Sequence, residues 1–500
     1  MIKISPNLRK FVPVNRDVKL MLKRTLFIRP KIQINCIYIF LILILASCVN
    51  TPQLYRESGN YSVRSAIRHA IDQSGLSTNL GVKIVSLETQ KILYELNARS
   101  LFNPASNNKL YTCISSLALL DTGYTFSTSV YRYNNNIYLV GGGDPDLSLS
   151  SLDSLARITS ERLSYIDTLF LDETLLDTIR FGEGWMWDEG AWEYSAQISA
   201  LTVNDNCVDF YIKPGELGQP VQLSTYPQSD YIQISNQSKT VNDTIDFTGL
   251  EIDRDWGNRT NQFIITGMVM DTAATDTLTR NIDDPSQFTG ILFKKMLKDY
   301  GVEVRTISKS KYSGNGELLT QHQSEALINS LRNLMKESDN LTAELMVKTI
   351  GHQMADTVGT WQNGLTAIKT FLSNEVLLDT NSFNLADGSG VSRYNYSSPD
   401  HFIQLLQWAY GNDRIRDNLL STLPIGGWDG SLKDRMNGEY GKRIFAKTGT
   451  LSGVSCLSGF VFTKSNEPLA FSIMMNGYAQ KAGYYRNLQD KITKILAELE

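Results

Sequence analysis

The chain has 500 residues, 42% of them hydrophobic and 20% charged, and carries a formal net charge of −4. That length exceeds one ordinary core, so two or more domains are expected. The acidic balance gives no electrostatic footprint for nucleic acid. The four histidines (His69, His322, His352 and His401) are scattered, with no H-E-x-x-H or C-x-x-C spacing, so neither a metal nor a cofactor is expected.

The chain opens with basic residues (Lys19, Lys23, Arg24, Arg29, Lys31) followed by "IYIFLILILASC" at 37–48. The apolar run is too short for an ordinary spanning helix and suits a signal-peptide core. Its end, Leu45-Ala46-Ser47-Cys48, resembles a bacterial lipobox. On that reading residues 1–48 form a lipoprotein-type signal, Cys48 is the lipidated residue, and a lipid anchors the protein to a membrane. The alternative is a plain signal peptide. Met21 would give a more typical signal length than Met1. Val49 is not an aspartate; the inner and the outer membrane both stay open. Three cysteines remain, Cys113, Cys207 and Cys456, an odd and sparse set that reads as buried free thiols.

Residues 49–59 suit a tether. A helix is expected in "VRSAIRHAIDQ", where Val63, Ala66, Ile67, Ala70 and Ile71 keep helical spacing. "GVKIVSLETQKILYELN" reads as a hairpin turning near Glu88–Gln90. "LYTCISSLALL" is apolar nearly all round, which predicts a buried helix. From 127 to 284 short strand-like runs alternate with Gly, Asp, Asn and Pro turns, predicting one or two β-rich units. From 285 helices return, including one begun by Ser398 and Pro399. The chain closes with strands in "RIFAKTGTL", "VSCLSGFVFT" and "LAFSIMMNGY" and a helix over 483–499. The expected organisation is a split α/β domain, 60–126 and 285–500, with the β-rich block inserted between.

Three polar motifs lie in this frame. Ser106 and Lys109 in "NPASNNKLYT" sit at i and i+3, on one helix face. A serine hydroxyl needs a base to become a nucleophile, and a buried lysine can be one. Ser338, Asp339 and Asn340 in "ESDNLTAE" lie between two helices, where a cap is the structural alternative. Lys447, Thr448, Gly449 and Thr450 lie on a strand, and Gly449 permits close backbone approach. Each motif alone reads more simply as an ordinary cap or strand edge. Together, S-x-x-K, S-x-N and K-T-G are a known signature of penicillin-recognising serine acyl-transferases, applied here rather than discovered.

Ser106 and Ser338 are 338 − 106 = 232 residues apart, and the β-rich block fills that gap. The chain therefore resembles the penicillin-binding protein 4 group, the S13 family of D-alanyl-D-alanine carboxypeptidases and endopeptidases. "PASNNKL", "GGGDPDL", "ISALTVNDN", "SDNLTAELMVK", "LADGSGVSRYN" and "AKTGTL" extend the likeness over roughly 60–495. The resemblance implies an α/β (α+β) serine β-lactamase-like transpeptidase fold with a large β-rich insertion. It implies Ser106 as nucleophile and Lys109 as base, with Ser338 and Lys447 passing a proton. It also implies Asn340, Thr448, Gly449 and Thr450 as substrate-binding residues, and the backbone N–H groups of Ser106 and Thr450 as the oxyanion hole. The partners it implies are peptidoglycan stem peptides, with β-lactams as covalent inhibitors. Asp387, Gly388 and Ser389 in "DGSG" either line the cleft or make a tight turn. Asp144 reads better as a turn residue than as a substrate contact, and Trp185, Trp187 and Trp192 as core packing of the insert. A β-lactamase or esterase on the same scaffold, or an idle cell-wall binding protein, are the competing functions.

Overall fold

The computed structural model describes residues 61–500 except Thr244. The expected signal, the tether and Cys48 lie outside the described residues. Among the described residues no helix is long and apolar enough to cross a membrane.

The main sheet has five antiparallel strands in the order Ile444–Leu451, Val454–Phe462, Pro468–Asn476, Asn79–Ser86, Ile92–Leu96. Its register pairs Ile84 with Phe471 and Thr448 with Leu457. Successive side chains on a strand face opposite ways, and here both faces are covered. Cys456, Phe460, Ala470 and Met474 join the core formed by helices Lys109–Leu119, Leu327–Lys336, Asn340–Ala355 and Pro399–Gly411. Leu457, Val461, Phe471 and Ile473 face the other way. They pack with Val63 and Ile67 of the first helix and Leu488 and Ile492 of the last. Strand "VSCLSGFVF" is buried at every position but the last, small Ser455, Ser458 and Gly459 included, as a strand covered on both faces is.

The inserted block has its own core and a second five-stranded sheet. Its order is Glu303–Lys309, Tyr165–Asp172, Asn136–Val140, Ser127–Tyr133, Glu317–Gln323. Three smaller sheets of two or three strands lie within 207–281. The block therefore does not stop at 284. Helix Pro285–Asp299 places Phe288, Leu292 and Phe293 in the insert's core, and the two strands after it complete the insert's sheet. The return of helical periodicity at 285 marks a change of element, not a change of core.

Two further expectations change. The block expected to be β-rich also holds the helix Leu149–Ser160, begun by a Ser148 side chain that accepts from the Ser151 N–H. The tryptophans are not core: Trp187 is 78% exposed and Trp192 45% exposed. Trp187 packs instead on Trp256, and Trp192 lies under the Arg280 guanidinium. Asp144 is buried and accepts from the Asp146 N–H, as a turn residue does. Cys113, Cys207 and Cys456 are free and buried.

Candidate active site

Ser106 stands on a 3₁₀ turn, Ala105–Asn108, that runs straight into helix Lys109–Leu119. Ala105 adopts a left-handed φ of 46°, a costly conformation for a residue with a Cβ. Neighbours hold it there. The Ala105 N–H donates to Asn103 Oδ1 at 2.9 Å, Asn107 Nδ2 to Ser458 Oγ at 2.7 Å, and Asn108 Nδ2 to the Asp387 carbonyl at 2.8 Å. The turn is thus tied to the sheet on one side and to the 387–390 segment on the other.

The following helix is buried from Lys109 to Leu117, which carries the Lys109 amine out of water. Its Nζ donates to Ser106 Oγ at 3.1 Å, to Asn340 Oδ1 at 2.5 Å and to the Ser389 carbonyl at 2.8 Å. An ammonium has three protons, and all three are used. Burial pushes the Lys109 pKa down to about 8, against the opposing pull of Asp339, Glu344 and Asp387. That is the property a serine-activating base needs near neutral pH.

The second motif enters from the loop between helices Leu327–Lys336 and Asn340–Ala355. Ser338 has a φ of 65°, and Asp339 caps the next helix by accepting from the Thr342 N–H. The cap expected on structural grounds and the site expected on chemical grounds are both present, on adjacent residues. The third motif lies on strand Ile444–Leu451. Lys447 is fully buried and its Nζ donates to Ser338 Oγ at 2.8 Å and to the Thr448 carbonyl at 3.1 Å. Burial, reinforced by the Lys109 charge, lowers its pKa well below the ordinary value. Thr448 Oγ1 donates to Ser431 Oγ at 2.8 Å, and Arg486 reaches Thr450 Oγ1 at 3.4 Å.

Ser106, Ser338, Asn340 and Thr450 line one cleft of about 710 Å³, with Tyr194 and Arg393 on its walls. The arrangement holds two serine–lysine pairs and an open face for a peptide. Asp387, Gly388 and Ser389 do not line it. They are buried behind Lys109, while Gly390 and Val391 reach the cleft. Asp387 instead closes a turn. Its Oδ1 accepts from the Gly390 N–H and Asn395 Nδ2, and its Oδ2 from the Ser392 N–H and Trp185 Nε1.

Some participants had escaped sequence reasoning. The Tyr194 carbonyl, from the insert, accepts from Asn340 Nδ2 at 2.8 Å, and a backbone oxygen leaves no mark in a sequence. Glu344 is fully buried on helix Asn340–Ala355. Its signal was available, as a lone acid within the otherwise apolar run "LTAELMV".

The profile of the D-Ala-D-Ala carboxypeptidase 3 (S13) family matches residues 63–499. A D-alanyl-D-alanine carboxypeptidase from Actinomadura sp. is 34% identical over 444 residues, covering 84% of this chain and 81% of the relative. D-alanyl-D-alanine carboxypeptidase DacB of Haemophilus influenzae is 26% identical over 421 residues, covering 80% and 86%. The crystal structure of penicillin binding protein 4 (dacB) from Haemophilus influenzae superposes with a TM-score of 0.77 at 23% identity, over 87% of this chain and 99% of that one. That likeness shows the expected penicillin-binding-protein fold. A family profile spanning both halves of the split domain and the insert leaves one assignment: the chain belongs to the D-Ala-D-Ala carboxypeptidase 3 (S13) family.

Proposed function

We propose that the protein is a serine DD-peptidase that hydrolyses D-Ala–D-Ala-type bonds of peptidoglycan stem peptides through a Ser106 acyl-enzyme and is acylated by penicillin. The observation that carries this reading is the buried Lys109 amine, 3.1 Å from the Oγ of Ser106, which lines a cleft together with Ser338, itself hydrogen-bonded to the buried Lys447. Neutral Lys109 takes the Ser106 proton as Oγ attacks the substrate carbonyl. The backbone N–H groups of Ser106 and Thr450 stabilise the oxyanion. The proton held by Lys109 passes through Ser338, hydrogen-bonded to Lys447, to the leaving amine, and the C–N bond breaks. Water then hydrolyses the ester, and Ser106 recovers its proton through Lys109. Asn340 binds a substrate amide. Thr448, Gly449 and Thr450 hold the extended peptide edge and its terminal carboxylate. The same groups serve a carboxypeptidase, which releases terminal D-Ala, and an endopeptidase, which cuts a cross-link. A periplasm-facing lipoprotein anchored through Cys48 is the location supported by the apolar run and small residues of 37–48.

Intact mass of the parent and Ser106→Ala, with and without penicillin, tests the reading. The expected result is a stable adduct on the parent and none on the variant. Consumption of the drug without an adduct would indicate a β-lactamase. An intact drug without an adduct would indicate an idle scaffold. D-Ala release by Ser106→Ala at the parent's rate would refute the assignment.

A further inference from the structure

Glu344 lies within the buried face of helix Asn340–Ala355, about one turn after Asn340. Three groups point at its carboxylate, and all three are donors. Trp361 Nε1 and the Gly388 N–H donate to Oε2, at 2.7 and 2.9 Å. The Ser389 N–H donates to Oε1 at 2.8 Å. These donors favour the ionised form and oppose burial and the Asp387 charge, which together raise the Glu344 pKa to about 7. The grip falls on the residue whose carbonyl matters: Ser389, held by its N–H, takes one of the three Lys109 protons on its carbonyl at 2.8 Å. The grip is close. A Cβ at Gly388 would lie 2.5 Å from the Ala343 carbonyl oxygen, so only glycine lets the segment approach the helix to this distance. On its other side the Gly388 carbonyl accepts from Thr112 Oγ1 at 2.7 Å, on the helix that carries Lys109.

We infer that Glu344 is a positioning residue for the Ser106–Lys109 pair, clamping the 388–389 backbone so that the Ser389 carbonyl aims the Lys109 amine at Ser106, and offsetting the Lys109 charge. This rests on the reading of Lys109 as the base. Charged groups surround Glu344 on every side. Asp387 faces it from the same turn, Lys109 from helix Lys109–Leu119, and Lys348 from one turn further along its own helix, backed by Asp177 and Arg180; Asp339 stands at that helix's start. Two buried carboxylates, Glu344 and Asp387, thus stand against two buried ammoniums, Lys109 and Lys348. Removing one carboxylate leaves the Lys109 ammonium less favoured, so its titration moves to lower pH. Glutamine also places an N–H₂ against a donor, which loosens the clamp.

The test compares the parent with Glu344→Gln and Glu344→Asp. Penicillin acylation of Ser106 is followed by intact mass from about pH 5 to about pH 10. The Lys109 titration is followed separately by NMR on protein carrying isotope-labelled lysine. In Glu344→Gln the plateau acylation rate should fall by about tenfold to a hundredfold, the scale of a lost positioning contact. Its Lys109 midpoint should also shift to lower pH. Glu344→Asp restores the charge on a shorter arm, so the midpoint should return towards the parent's while the rate recovers only in part. A Lys109 midpoint in Glu344→Gln equal to the parent's overturns the inference, whatever the rate. If Glu344→Gln does not fold, an aspartate variant with the parent's full plateau rate overturns it instead. Failure of penicillin to acylate the parent would count against the proposed function, while the NMR midpoints still decide the role of Glu344.

Discussion

Gly449 offers the sharpest test of how the nucleophile is placed. A Cβ built there would lie 2.6 Å from the Pro104 carbonyl oxygen, 3.0 Å from the Asn107 nitrogen and 3.1 Å from Asn107 Oδ1. Ordinary contact begins at 3.4 Å, so Gly449→Ala requires 3.4 − 2.6 = 0.8 Å of separation. Neither side yields easily. The strand is held in register, with Gly449 opposite Cys456, and the turn is tied to Ser458 through Asn107. The added methyl therefore drives Ser106 and Thr450 apart, and with them the two N–H groups assigned to the oxyanion. A misplacement of about 1 Å costs on the order of a hundredfold in rate. At about 1.4 kcal/mol per decade, the variant should lose roughly 3 kcal/mol of transition-state stabilisation. The overpacking should also cost about 1–3 kcal/mol of stability. Penicillin acylation rates by intact mass, with thermal melts on the same samples, measure both. A variant that acylates within about threefold of the parent, at an unchanged melting temperature, would refute the argument that this contact sets the site.

Two further outcomes follow from the buried charges. On the proposed mechanism acylation requires neutral Lys109, and burial lowers the Lys109 pKa to about 8. The neutral fraction, and with it the rate, should rise about tenfold between roughly pH 7 and 9 before levelling; a rate flat across that span would exclude Lys109 as the base. The Lys348 ammonium is fully buried, bonded to Asp177 Oδ1 at 2.6 Å and to the Ile179 carbonyl at 2.7 Å, and lies 3.7 Å from the centre of the Trp361 ring. Lys348→Met strands the Asp177 carboxylate. Breaking such a pair costs about 3–5 kcal/mol, with the lower end expected because Asp177 is 18% exposed. Denaturant unfolding should show the loss, and Asp177→Asn in the same chain should recover part of it. A stability equal to the parent's would mean the pair contributes nothing.

Where the chemistry is encoded locally, it could be read before any fold was known. Ser106 and Lys109 sit at i and i+3 and Lys447 to Thr450 share a strand, so each pairing was legible locally, although only the three motifs together pointed to a site. The hairpin at 79–96 and the doubly buried strands at 454–476 were legible for the same reason. What failed to appear depends on contacts distant in the chain. The insert's limit near Gln323 is set by the strands Glu303–Lys309 and Glu317–Gln323 pairing back to 165–172 and 127–133. Composition cannot show such pairing. Tryptophan usually signals burial, yet Trp187 and Trp192 stand largely in the open because the segment around them follows the surface of the insert. From residue types alone, "DGSG" reads as either cleft or turn. It proves to be a turn whose carbonyl nonetheless reaches the lysine, a role that belongs to the backbone and to no side chain.

The strand pairing has a consequence for biosynthesis. Asn79–Ser86 finds its partner in Pro468–Asn476, with Leu80 opposite Met475. The first strand made therefore waits for the last. Lys447 follows Ser106 by 447 − 106 = 341 residues. At about 5–20 residues per second of synthesis, the nucleophile emerges roughly 20–70 s before the lysine that completes its cleft. Throughout that interval the nascent chain carries a serine with no second amine beside it, no Thr450 and no central strands to hold the turn. On the proposed mechanism hydrolytic competence waits for Lys447 and the strands that follow it, so the order of translation keeps the serine idle until the sheet closes.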